Sequence, residues 1–179
     1  MRFSDIKRHL KPYSIIASRT TTINHAFAAA VAPNDPFDVN KIRAALELLG
    51  QNPDDELTCA YCGQAAETWD HIHGTVKNKV FSGYGHRIGN LLPCCKPCNS
   101  KKGNKDWLSY LKGLKTTDED RLKKEHTINN YITKYCSKDV IPQHLGEYQK
   151  LQLIKQEVID LLAKADSLAA IVRNKSKTD

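Results

Sequence analysis

The chain has 179 residues, a formal net charge of +7 and six cysteines. That length holds one ordinary core plus an extension. It contains no apolar run long enough to cross a membrane, and Met1-Arg-Phe-Ser-Asp5 lacks a signal-peptide pattern, so the expected setting is cytoplasmic and reducing rather than that of a secreted disulfide scaffold.

In chain order, residues 1–51 read as a helical segment. Ser4 is positioned to cap a helix carrying Phe3, Ile6 and Leu10, stopped by Pro12. Thr21 or Thr22 would cap a second helix through Ile23, Phe27 and Val31, ended by Pro33. Asp35-Pro36 reads as a third start, a cap residue followed by proline at the first helical position. Ile42, Ala45, Leu46 and Leu49 then recur at helical spacing and Gly50 closes the helix. Lys7, Arg8, Lys11 and Arg19 read as a solvated face rather than as nucleic-acid contacts.

Residues 52–112 form the chemical centre. Thr68 to His73 reads as a short strand ended by Gly74, with Trp69 expected in the core. A helix is expected from about Pro97, with Gly103 interrupting it and Asn104 capping the next, through Trp107, Leu108 and Leu111. Residues 113–179 are helical again. Thr116-Thr-Asp-Glu119 resembles a capping box, and Pro142 breaks the chain. Leu151, Ile154, Val158, Leu161, Ala165, Leu168 and Val172 then alternate three and four apart, a stripe that suits either a homodimer seam or docking on the chain's own domain. The fold class expected is mainly α with a small α+β core.

Two matched pairs, Cys59-Ala-Tyr-Cys62 and Cys95-Lys-Pro-Cys98, fill the four corners of a structural zinc site without an open position. Cys94 offers an alternative spacing to Cys98, but Cys95 matches the first pair. Between the pairs, Asp70 is a hard oxygen ligand suited to Mg²⁺, and the neighbouring His71 titrates near neutrality and can take a proton from water. Strict strand alternation would place these two on opposite faces, so one shared site needs the strand to end or bend there. From residue 72 to 112 there are eight basic residues (Lys77, Lys79, Arg87, Lys96, Lys101, Lys102, Lys105, Lys112) against Asp106 alone. A basic surface beside a metal site suits a polyphosphate substrate. Arg87, Lys101, Lys102 and Lys105 are the candidate DNA contacts, and His86 reads as surface.

Asp70-His71, Asn90 and Cys95-x-x-Cys98-Asn99-x-x-Lys102-Gly103 together resemble the HNH nucleases, whose core is the ββα-metal fold, in the zinc-bound subtype with two Cys-x-x-Cys pairs. The resemblance covers about Leu57 to Leu111 and implies a DNA endonuclease, of a restriction-type or phage or mobile-element kind. In it, His71 is the general base, Asp70 and Asn99 hold one Mg²⁺ (or Mn²⁺), Asn90 ties down the loop between the strands, and His73 touches the scissile phosphate or assists the metal. The third letter of the motif is Asn99 rather than histidine, which favours an oxygen-liking metal. Three other readings stay open: a branched-DNA nuclease, a non-catalytic zinc-knuckle nucleic-acid-binding protein, and a structural zinc protein acting on a protein partner through the C-terminal helix.

Overall fold

The computed structural model describes residues 3–140 and 143–176. The chain is mainly helical and divides into two compact units, one formed by Met1–Phe27 with Pro142–Asp179, the other by Ala28–Ile141. No helix among the described residues is long and apolar enough to cross a membrane.

In the first unit, a short 3-10 helix, Phe3–Arg8, stands where the Ser4 helix is expected. Helix α1, Ile15–Ala30, begins nearly two turns earlier than Thr21 or Thr22. Ser14 caps the helix, its Oγ accepting from Ala17 N–H at 3.2 Å, and a carboxylate from far along the chain supports that cap. Asp166, on the long helix α6 (Gly146–Lys175), accepts from Ser14 Oγ at 2.7 Å and from the backbone N–H groups of Ile15 and Ile16 at 2.7 and 3.1 Å. It satisfies donors that a helix N-terminus otherwise leaves orphaned. Ile154, Leu161 and Leu168, seven residues apart on α6, are exposed. Pro142 lies outside the described residues.

The second unit runs α2 (Val39–Leu48), β1 (Thr68–His71), β2 (Val76–Lys77), β3 (Val80–Phe81), β4 (Leu91–Cys94), α3 (Lys96–Lys102), α4 (Trp107–Lys112) and α5 (Asp118–Tyr135). Asp38, not Asp35, caps α2 by accepting from Lys41 N–H. Asp106, not Asn104, caps α4, and Thr117 caps α5. Strands β1 and β4 pair antiparallel, with Asp70 opposite Leu92 and His71 opposite Leu91. The β2–β3 hairpin turns through Asn78 and Lys79, both at positive φ (52° and 66°), the geometry a two-residue loop needs to match strand twist.

The core joins the cysteines to both flanking helices. Ala45 of α2 and Leu49 at its C-terminal cap, Ile128 and Tyr131 of α5, Leu92 of β4 and Trp107 and Leu111 of α4 are packed together with Cys59, Cys95 and Cys98. Helices α2 and α5, expected outside the 52–112 module, are therefore part of its core. Trp69, expected inside, is 46% exposed, and Trp107 is the buried tryptophan.

Candidate metal centre and histidine site

The first cysteine pair sits on a tight turn in which Gly63 N–H bonds to Cys59 O and Cys59 N–H to Gln64 O. The second pair brackets the start of α3, where Cys95 is the N-terminal cap residue and its carbonyl accepts from Asn99 N–H at 3.0 Å. The antiparallel pairing of β1 with β4 brings the two ends together. The ligand atoms of Cys59, Cys62, Cys95 and Cys98 all lie within 4.8 Å of one another, and Cys62 and Cys95 are 3.6 Å apart. A tetrahedral ion with bonds of about 2.3 Å needs sulfur–sulfur edges of roughly 3.8 Å, so the donor set fits zinc.

Cys94 is the fifth cysteine here, fully buried, with its sulfur 3.8 Å from that of Cys59. It contacts the cluster without belonging to the four. Contact with the Cys94 sulfur holds the Cys59 thiol well below the ordinary range, at about 4, whereas burial pushes Cys62 up and Cys98 up to about 12. A bound cation supplies the charge that lets all four shed their protons.

Asp70 and His71 part company at the end of β1. Asp70 points into the interior, 3% exposed, where Lys102 Nζ lies 3.0 Å from Oδ2 and 3.2 Å from Oδ1. Tyr61 donates its hydroxyl to Oδ2 at 2.9 Å. Burial raises the Asp70 pKa, and the Lys102 charge and the Tyr61 hydrogen bond oppose that rise. Lys102, expected as a DNA contact, is itself 2% exposed and also donates to His71 O at 2.8 Å. Asn99, on the same helix, is half-buried and makes no side-chain hydrogen bond among the described residues. The alternation of the strand thus wins: the expected metal ligand and the expected base face different surroundings.

His71 is half-buried, and its Nε2 lies 2.9 Å from Nδ1 of His86, with the rings edge to face. Burial, with the neighbouring His86 and Lys102 charges, brings its pKa down to about 4, so the ring is unprotonated at neutral pH. The loop that follows is held at its neck by Asn90, which is 2% exposed. Asn90 accepts from His73 N–H at 2.8 Å and donates to His73 O and Gly85 O at 3.1 and 3.0 Å. The His73 ring stacks on Tyr84, with centroids 4.2 Å apart.

The expected DNA contacts divide. Arg87 forks onto Asp139 at 2.6–3.0 Å and reaches Asp35 at 3.0 Å, so its charge is spent inside the fold. Lys101 and Lys105 are exposed. An open groove beside His73 is lined by Lys77, Tyr84, Lys105 and Lys138. Two residues that the sequence did not mark out belong to this site: His86, read as surface, and Tyr61, given no role. For His86 the available signal is Gly83-Tyr-Gly85-His-Arg-Ile-Gly89, whose glycines mark close backbone approach.

Comparison with protein-family models, with curated proteins and with solved structures finds no match.

Proposed function

We propose that the chain is a DNA endonuclease of the HNH, ββα-metal type, stapled by structural zinc. The observation that supports it best is the placing of His71: an imidazole at the end of β1, held against His86, in a strand–loop–strand–helix unit closed by four cysteines. In this reading zinc holds the unit together and touches no substrate, since four thiolates leave it no open position. Lys77, Lys105 and Lys138 hold the phosphodiester backbone in their groove. His71 takes the proton of a water that attacks phosphorus; the bond to the 3′-oxygen breaks and that oxygen takes a proton from solvent, leaving a 5′-phosphate and a 3′-hydroxyl. General-base catalysis of this kind contributes typically 10²–10⁴-fold.

The resemblance also calls for Mg²⁺ on Asp70 and Asn99. As folded, these residues do not fit that ion, because both Asp70 oxygens are already engaged by an ammonium and a phenol. No step is assigned to it. That closed carboxylate favours a second reading, a zinc-stapled module that binds nucleic acid without cutting it.

Incubation with plasmid and with a four-way junction, with and without Mg²⁺, separates the two when paired with gel shifts. The endonuclease reading expects discrete cutting by the native chain, and His71→Ala that still binds DNA but has lost at least about a hundredfold in rate. Undiminished cutting by His71→Ala would remove His71 from the chemistry. DNA binding without any cutting by the native chain would establish the binding module instead.

A further inference from the structure

We propose that His86 is the positioning residue for His71: its Nδ1 accepts the Nε2–H of His71, fixing that ring and leaving His71 Nδ1 as the nitrogen that takes the proton from water. This rests on the endonuclease reading. His71 Nε2 and His86 Nδ1 face each other at 2.9 Å, hydrogen-bond distance for two ring nitrogens. At that distance one ring nitrogen donates its hydrogen and the other accepts it. If His86 donated, His71 Nε2 would spend its lone pair on the neighbour while Nδ1 carried the hydrogen, and no basic nitrogen would remain. If His71 donates, both rings carry hydrogen on Nε2, the form imidazole side chains favour in water, and His71 Nδ1 is open.

The backbone around His86 is anchored on every side, far beyond what a surface histidine needs. Its N–H donates to Pro33 O at 2.8 Å, and its carbonyl accepts from Asp35 N–H at 3.2 Å. Gly85 passes so close to Pro33 that any Cβ would collide with that carbonyl, and Gly89 meets the Tyr135–Cys136 peptide in the same way. Between them, Arg87 is clamped by Asp139 and Asp35, Ile88 N–H donates to Asp35 Oδ2 at 3.0 Å, and Gly89 N–H donates to Tyr131 Oη at 2.9 Å. The Asn90 side chain ties Gly85 O to the backbone of His73, two residues after β1. The strap 85–89 thus sets the position of one ring nitrogen, and that nitrogen meets His71. The Asp35 carboxylate, which reads in the sequence as a helix cap, is part of this anchorage.

The test uses the full, zinc-loaded chain. His86→Ala removes the acceptor; His86→Asn keeps an oxygen where Nδ1 stood. The expected result is a fall in kcat of about a hundredfold for His86→Ala with KM nearly unchanged, since misplacing a reacting group by an ångström has that scale of effect. His86→Asn recovers most of the loss. Independently of activity, long-range ¹H–¹⁵N spectra should find His71 as the Nε2–H tautomer in the native chain and as a mixture in His86→Ala. Unchanged zinc content in both variants establishes that the fold survives. Wild-type kcat in His86→Ala, in a chain that His71→Ala inactivates, overturns the positioning role alone. So does a native His71 with its hydrogen on Nδ1, or a second bound metal equivalent that His86→Ala releases. A native chain that cuts nothing overturns the endonuclease reading, whatever the tautomer.

Discussion

Replacing Lys102 by methionine isolates the buried pair at the end of β1. The side chains of Lys102 and Asp70 are 1% and 4% exposed, and the ammonium bridges Asp70, His71 O and, more distantly, Gly103 O. Methionine fills a similar volume but leaves the carboxylate charged, buried and bonded only to Tyr61. Breaking a buried pair from one side costs about 3–5 kcal/mol. For a chain of this length each kcal/mol moves Tm by roughly 2–4 °C, so the expected drop is roughly 6–20 °C. The double variant Asp70→Asn/Lys102→Met removes both charges and should fall well short of the summed single losses. The pH dependence has a definite sign. Burial raises the folded-state pKa of Asp70, so below that value the folded state binds a proton that the unfolded state lacks. Stability of Lys102→Met therefore improves as pH falls toward the unfolded-state value and worsens as pH rises. Urea melts of the four proteins in zinc-replete buffer between pH 7.5 and 5.5 measure this. Mg²⁺ should leave the native melt unchanged and restore part of the Lys102→Met loss, since only the variant offers a free carboxylate. A Lys102→Met protein within about 1 kcal/mol of the native chain, or a double variant as unstable as the sum, would refute the buried pair.

Cys59→Ser or Cys98→Ser should unfold the 28–141 unit rather than slow it, because structural zinc binding is coupled to folding free energy; elemental analysis should find about one zinc per native chain, and folded, metal-free protein contradicts this. Changing Lys77, Lys105 and Lys138 together to alanine should lower the salt dependence of DNA binding by about three, at ~0.9 per phosphate contact, whereas Arg87→Ala should lower Tm and leave that slope unchanged; the reverse pattern would show that the groove is misassigned. If the exposed residues Ile154, Leu161 and Leu168 join two chains, sedimentation should find a dimer that Leu161→Glu with Leu168→Glu dissolves, and a native monomer at micromolar concentration with DNA present rules the seam out.

What the sequence disclosed was governed by neighbours close along the chain. The Cys-x-x-Cys spacing specifies its own turn, and α3 runs Lys96–Lys102 because proline opens it and Gly103 ends it. Helix starts failed where a distant group decided them. Asp35 and Asp38 offer the same cap chemistry three residues apart, and the pull of Arg87 and Ile88 N–H, some fifty residues on, together with Lys41, engages Asp35 elsewhere. Ser14 caps α1 locally by accepting from Ala17 N–H, a signal the sequence offers, but the reinforcement by Asp166 from about 150 residues away is one that no local pattern encodes. The site divided along the same line. Strand alternation already warned that Asp70 and His71 face apart, but that a lysine would follow Asp70 inward depends on the interior that Tyr61 and α3 build.

The clamp made by Asn90 has an architectural consequence. By bonding both His73 and Gly85, one buried amide closes the neck of the segment between them, and the β2–β3 hairpin hangs beyond that closure. Lengthening a loop whose ends are already fixed has only a small, logarithmic entropic cost. The hairpin is therefore an exchangeable cassette. Its length and exposed side chains can be rewritten, as grafted fingers of different reach and polarity, while the buried Phe81 roots it and the frame that carries His71 stays shut behind it.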